Sequence, residues 1–470
     1  MLSLQRMQVA THLRSPAMRP LAVRGWRQRP PMISVMSETT KASAGEQESL
    51  RRDVRTISLV GLVHGTSHFH HLLLPPMFPW FAEAYGLSYA ELGLVVTVFF
   101  LISGVGQALS GFLVDRVGAR PVLHAALACF VLSALLAAFA DGHGGLLLAS
   151  AVAGLGNAPF HPVDFTILNR RVAPVRLGHA YSVHGISGNI GWALSPLVSA
   201  TLMQSTGSLR LTYLVIGLLG LGVLALVWWR RQDLDDRVST QSAQRPAQPA
   251  AATERAGTGA PGGGVQPHAP SHPLAFLGLP SVWLCFSFLF WTTCALSAVQ
   301  SFVSPALQQL HGLPLQLTTY VVTGYMVCGA VGMVMGGFLL ARVHELEGLI
   351  AAALLASALL LLVAAAPWPG DTVALLLVCL AGLGTGLAGP SRDMLIRSAA
   401  PAGATGRVYG AVYSALDLGF ALSAPLFGMA LDRGWPLWVF TGAAACLVIA
   451  VLCAAAVARR SRRSAAAVPA

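Results

Sequence analysis

Gly111-Phe112-Leu113-Val114-Asp115-Arg116-Val117 returns, lightly edited, as Gly337-Phe338-Leu339-Leu340-Ala341-Arg342-Val343. Each copy closes a long apolar run, so a membrane-embedded unit is duplicated within one chain. The repeat continues downstream. Gly154-Leu155-Gly156 pairs with Gly382-Leu383-Gly384, and His161-Pro162 with Gly389-Pro390. Gly178-x-x-Tyr181 pairs with Gly406-x-x-Tyr409, and Gly191-Trp192-Ala193-Leu194-Ser195 with Gly419-Phe420-Ala421-Leu422-Ser423. The offset between copies stays at 226 to 228 residues. A two-fold repeat of this kind places a central cavity between its halves.

The composition agrees. With 55% hydrophobic and 10% charged residues, the chain falls outside the soluble globular range. Crossing the hydrocarbon layer takes roughly 20 apolar residues as a helix. Twelve runs qualify, near 57–81, 91–114, 121–140, 145–169, 178–204, 210–230, 281–305, 317–341, 347–366, 371–397, 406–431 and 436–458. None has the alternation of a membrane barrel, so helices are expected. The expected fold is an all-α membrane protein with twelve transmembrane helices in two pseudo-symmetric six-helix bundles. Residues 51–231 form the first bundle and 279–460 the second. An Ala-, Gln-, Pro- and Gly-rich linker, 232–278, buries too little apolar surface to fold and is expected to be disordered and cytoplasmic. The extension 1–50 and the tail 461–470 hold no span.

Arginines set the orientation. Arg51, Arg52, Arg55, Arg116, Arg120, Arg170, Arg171, Arg176, Arg230, Arg231, Arg342, Arg397, Arg407 and the cluster between Arg459 and Arg463 fall on one side. The opposite loops carry Arg210, Arg433, Glu83, Asp141 and Asp371. The positive-inside rule puts both termini in the cytoplasm. The net charge of +11 is therefore topological, and no basic face of a soluble domain invites nucleic acid. Seven cysteines lie within the apolar runs without a C-x-x-C pair, so neither a disulfide framework nor a zinc ribbon is indicated. The first 35 residues contain six arginines and no acid, loosely like a transit peptide, and Lys41 is the sole lysine. That arginine bias suggests a GC-rich bacterial gene whose translation begins at Met36, and hence a bacterial inner membrane.

Histidines mark the candidate site. His64, His68 and His71 stand at i, i+4 and i+7, one stripe of the first helix, with His70 directed elsewhere. His161 lies in the fourth run, and His179 and His184 begin the fifth. By helical rise, His64, His161 and His184 share a depth roughly 10 Å from the cytoplasmic boundary. Polar groups at that depth face a cavity or a partner rather than lipid. Imidazole either exchanges protons and binds anions, or holds a transition metal. No metal-ligand run of standard spacing appears, so no metal centre is expected. The other intramembrane charges are Asp164, Arg392, Asp393 and Asp417. Asp417 corresponds by the repeat to Asn189, and Arg392 offers either a salt bridge to Asp417 or a contact for an anion. No cofactor loop exists: G-x-x-x-x-G-K-[ST] cannot be assembled around Lys41, so neither nucleotide nor nucleic acid is an expected partner. No catalytic triad or cofactor fingerprint indicates an enzyme.

Gly111 continues through Asp115 and Arg116 to Gly118 and Arg120, completing G-x-x-x-D-R-x-G-x-R. This resembles the loop between helices 2 and 3 of major facilitator superfamily transporters. The resemblance implies a conformational gate formed by Gly111, Asp115, Arg116, Gly118 and Arg120, with Arg342 in the second copy, where Ala341 replaces the acid. Gly156-x-x-x-Phe160-His161-Pro162 and Gly188-Asn189-x-Gly191-x-x-Leu194-x-Pro196-Leu197, with Pro75 and Pro79 in the first helix, resemble the fosmidomycin-resistance branch. That implies drug or metabolite efflux by proton exchange. His64 matches a histidine of the branch, His68 stands where it carries Asp, and Val163 replaces its acid after His-Pro. Asp164 sits one place later, rotated by about 100° on a helix.

The expectation is thus a secondary transporter working by alternating access on a small organic solute, with protons as the coupling ion and a monomer in the bilayer as the working unit. Metal or small-anion uptake, and a non-transporting receptor or scaffold, are the alternatives. The expected pathway is lined by His64, His68, His71, Phe160, His161, Asp164, His184, Asn189, Arg392, Asp393 and Asp417.

Overall fold

The computed structural model describes residues 32–236, 278–340, 346–399 and 405–466. Residues 1–31, 237–277 (most of the expected linker), 341–345 with Arg342, 400–404 and 467–470 lie outside the described residues. The chain divides into two compact units, Met1–Arg51 and Arg52–Ala470. The first is described only by the start of helix α1 (Met32–His71), so residues 32–50 are helical where the sequence suggests no ordered structure.

In the second unit the described residues hold helices and no strand. After α1 come α2 (Phe78–Tyr85), α3 (Tyr89–Val117), α4 (Ala119–Ala138), α5 (His143–Asn157), α6 (Phe160–Arg171), α7 (Leu177–Thr206) and α8 (Leu209–Trp229). The second half contains α9 (Pro280–His311), α10 (Leu315–Leu340), α11 (Leu346–Ala364), α12 (Asp371–Ala399), α13 (Thr405–Asp432) and α14 (Leu437–Ala466). Ten segments, with α5 and α6 together as one, are long and apolar enough to cross a membrane. The two further expected spans, α1 and α7, carry His64, His68, His71, His184 and Asn189, and these polar residues lower their hydropathy.

Local chemistry explains the boundaries. Gly86 takes a left-handed φ of 65° to end α2, and Ser88 with Glu91 forms a reciprocal capping box that starts α3. Gly118 stands at φ 92° between α3 and α4, a conformation that explains the motif glycine. Two spans are broken, α1–α2 around Pro75-Pro76 and α5–α6 at Ala158-Pro159. Breaks free backbone carbonyls that lipid cannot satisfy. Ser195 Oγ donates to the Leu72 carbonyl at 2.7 Å, and Tyr213 donates to that of Leu73 at 3.0 Å.

Two bundles meet along two antiparallel helix pairs, α3 with α13 and α7 with α10. The repeat maps α3 onto α10 and α7 onto α13, so the two pairs are the same contact seen twice. The α3–α13 seam runs from Tyr89 against Asp432, through Thr97, whose hydroxyl donates to Ala421 O at 2.6 Å, to Gly104 against Asp417. Phe100 and Phe420 stack across it at 4.1 Å and 4°, worth about 0.5–1.5 kcal/mol beyond area burial. Beyond Gly104 toward Val117, α3 exposes Leu109 and Phe112, and α10 likewise exposes Met335 and Phe338 at its carboxy-terminal end.

The start of the linker is ordered. Residues Arg231–Leu234 form a 3-10 turn, with Leu234 fully buried and Asp236 2% exposed. Asp236 Oδ2 accepts from the Ala119 backbone N–H at 3.2 Å and from Arg170 at 3.0 Å, while Asp235 pairs with Arg120 at 3.1 Å. The acids Asp233, Asp235 and Asp236 thus hold 232–236 under the first bundle, which the linker's low-complexity composition conceals.

Candidate functional site

Packing of α7 on α1 builds the site. Gly191 lies so close to the Gly65 carbonyl that a Cβ there would overlap it, and a Cβ on Gly188 would reach within 3.0–3.2 Å of the His68 and His64 rings. Small residues at the crossing let the backbones approach. That approach brings His184 of α7 over His64 of α1, ring centroids 3.4 Å apart and 24° from parallel.

Between them sits Asp164 of α6, with no solvent exposure. Its Oδ2 contacts His64 Nδ1 at 3.0 Å and His184 Nε2 at 3.1 Å. With Asp164 ionised, both nitrogens donate to the carboxylate; with Asp164 protonated, its hydroxyl donates to one of them. Asp164 Oδ1 is buried and makes no hydrogen bond. The one-residue offset that the resemblance flagged therefore brings Asp164 into the cluster rather than away from it. His161, one turn earlier on α6, has its ring 5.5 Å from His64 and 6.0 Å from His184. One ring nitrogen each of His64, His161 and His184 lies within 4.8 Å of the other two.

His68 stacks obliquely on Trp192 at 4.3 Å and on His64 at 4.5 Å, its Nδ1 buried without a partner. His71 belongs to a second polar knot centred on Asn157, the last residue of α5 before the break. Asn157 Oδ1 accepts from Ser67 at 2.8 Å and from His71 Nε2 at 2.7 Å, and its Nδ2 donates to Ser103 at 2.8 Å. Trp192 Nε1 donates to His71 Nδ1 at 3.3 Å. Asn157, Ser67, Ser103 and Trp192 were not among the expected pathway residues. The Asn157-Ala158-Pro159 helix break was the available signal for the first. His70 points away, as its register predicts, stacking on Phe130 and bonding to Thr66 O at 2.8 Å.

Other expected site residues lie apart. Phe160 is core, 1% exposed and packed on Phe130. Asn189 lies at the α7–α10 seam, its amide donating to Gly185 O at 3.0 Å and to Met333 Sδ at 3.6 Å. Asp417, its repeat counterpart, lies at the α3–α13 seam, its Cβ 3.0 Å from where a Cβ on Gly104 would stand. Asp417 makes no hydrogen bond or ion pair among the described residues, so the candidate bridge to Arg392 is not formed there. Arg392 is half-buried on α12, and Arg342 and the Asp393 side chain lie outside the described residues. In the loop motif Gly111, Asp115 and Arg116 face open space or solvent, Asp115 without an ion pair among the described residues, while Arg120 is held by Asp235. At the other end of the α3–α13 seam, Asp432 accepts from the Tyr89 and Ala90 backbone N–H groups.

Residues 59–424 match the family model described as Major Facilitator Superfamily. The chain is 28% identical over 204 residues to the fosmidomycin resistance protein of Escherichia coli (strain K12), covering 42% of this chain and 50% of that protein. It is 30% identical over 152 residues to the multidrug resistance protein B homolog of Mycobacterium tuberculosis (strain ATCC 25618 / H37Rv), covering 32% and 28%. The alignments thus span about half or less of the curated relatives' length. The fold matches a bacterial homolog of the human lysosomal transporter Spinster in its inward-facing, unoccupied conformation, with a TM-score of 0.66 at 15% identity, over 87% of this chain and 97% of that one.

Proposed function

The chain belongs to the major facilitator superfamily, and from that premise we propose that it exports a small organic solute in exchange for protons by alternating access. The carrying observation is Asp164, a fully buried carboxylate held by His64 and His184 inside the first bundle. A buried acid is retained in a membrane where it moves charge, since an ionised group there is expensive. Asp164 takes the proton, and the flanking imidazoles exchange N–H bonds with it as it titrates. Each turnover switches the seams: the far-face contacts of Asp432 open, and the Asp115 motif closes the terminal face. The arginine bias of the loops supports cytoplasmic termini in a bacterial inner membrane. The resistance proteins among the relatives support efflux of a drug or metabolite.

The test has two arms. Expression in an efflux-deficient bacterium should raise the growth-inhibitory concentration of at least one member of a compound panel that includes fosmidomycin. Purified protein in liposomes should then move that compound only with an imposed pH gradient, and Asp164→Asn should lose the gradient-driven flux while keeping exchange at equal pH. Flux that ignores the gradient removes the proton assignment; no flux of any compound removes the efflux reading.

A further inference from the structure

The geometry points to a transition-metal site: we propose that His64, His161 and His184 bind one divalent cation of the zinc type, with Asp164 orienting the ligands. This goes beyond proton-driven efflux and does not depend on which solute is carried. Three imidazoles arrive from three helices, α1, α6 and α7, and present one nitrogen each within a 4.8 Å envelope. A tetrahedral site with about 2.0–2.1 Å bonds needs donors roughly 3.3 Å apart, a closure of about 1.5 Å shared among three side chains, with the stacked His64 and His184 rings turning out of parallel so that both lone pairs meet the ion.

With Asp164 ionised, the hydrogen bonds define which nitrogens are free. An ionised carboxylate only accepts, so His64 donates from Nδ1 and His184 from Nε2 to Asp164 Oδ2. In the neutral rings this leaves a lone pair on His64 Nε2 and on His184 Nδ1. A carboxylate that holds the second nitrogen of a ligating histidine is the usual outer arrangement of metal sites, and here one carboxylate serves two rings. His161 forms no hydrogen bond among the described residues, so both its nitrogens are available. Asp164, through Oδ2, supplies the compensating charge from outside the ligand set, and the fourth position is left to water or a solute. Imidazole donors with a single carboxylate favour zinc, cobalt, nickel or copper over magnesium and calcium, which take oxygen sets. Half-buried His161 lies beside the exposed Phe165 ring, which leaves the cluster an edge toward solvent. Residues 64, 161 and 184 show no ligand spacing along the chain, so the site becomes visible only once α6 and α7 pack on α1.

The test uses the full chain, purified in detergent by a tag without histidines, stripped with a chelator and titrated with Co²⁺. We expect one equivalent to bind with the visible absorption of a four-coordinate cobalt site, to be displaced by Zn²⁺, and to resist Mg²⁺ and Ca²⁺. His161→Ala, which leaves no partner unsatisfied, should abolish this binding without moving the melting temperature; His64→Ala should abolish it too. Asp164→Asn should weaken it about 10- to 100-fold. His311→Ala, whose ring bonds to the Ala364 carbonyl far along the chain, should leave it unchanged. No saturable cobalt site, or one indifferent to His161→Ala, overturns the proposal. Gradient-driven solute flux without metal binding sinks this inference alone, and metal binding without any solute flux sinks the efflux reading alone.

Discussion

The Asp432 carboxylate, at the last residue of α13, accepts the backbone N–H groups of Tyr89 at 2.7 Å and Ala90 at 2.8 Å, so one bundle caps the first turn of a helix in the other. The two partners are 343 residues apart in the chain. A carboxylate at a helix amino terminus is favoured by the unpaired N–H groups and by the helix dipole. Placed across a seam, the same interaction becomes a latch, and it holds the far face shut.

Weakening the latch should open that face. Asp432→Asn keeps an acceptor and loses the charge, removing on the order of 0.3–1 kcal/mol at an exposed site. With spin labels at Glu83 and Leu437, both exposed on the far face, the population of long distances should rise about 2- to 5-fold. An unchanged distance distribution would mean that apolar packing alone closes the seam.

The polar knot at the α5–α6 break makes a second expectation. Asn157→Ala strips partners from Ser67, His71 and Ser103 at once, and unsatisfied buried groups cost about 1–3 kcal/mol each. The detergent-purified variant should melt well below Ser103→Ala, which breaks one bond. Equal melting temperatures would show that water replaces the asparagine.

What was legible beforehand was what is local or repeated. The 226–228 residue offset exposes the two bundles. Length and hydropathy separately pick out ten segments, because α1 and α7 carry the polar residues that make them interesting. Three features stayed hidden, each for a physical reason. Asp164 is expected in the pathway, but its pairing with His64 and His184 is not, because register along one helix says nothing about which helix faces it. Asp432 and Tyr89 meet only after both bundles fold. The acids at 233, 235 and 236 looked like the start of a polar tract, because composition cannot report that Leu234 is buried and anchors them.

That anchored tract should matter to stability. Asp236 is 2% exposed and serves both the α4 amino terminus and Arg170, so Asp236→Asn should cost about 1–3 kcal/mol. Arg120→Ala breaks only a partly exposed pair with Asp235 and should cost less than about 1 kcal/mol. Melting temperatures in low and high salt check the contrast. If Arg120→Ala proves the worse of the two, the loop motif rather than the tract supports this end of the bundle.

Asp417 should behave in the opposite sense. The two seams are copies of one contact, yet one presents the amide of Asn189 and the other a carboxylate with no hydrogen bond or ion pair among the described residues. A partly buried carboxylate without partners opposes folding by about 1–3 kcal/mol. Its replacement by the residue the other half already uses removes the charge and leaves only a neutral amide there, which costs less to bury. Asp417→Asn should therefore raise the melting temperature, while Asp164→Asn, which disturbs two imidazoles, should lower it. Solute flux should nonetheless fall in Asp417→Asn, because a destabilising charge at the seam between bundles persists where function needs it. A variant that is both more stable and fully active would show that the asymmetry between the halves has no part in transport.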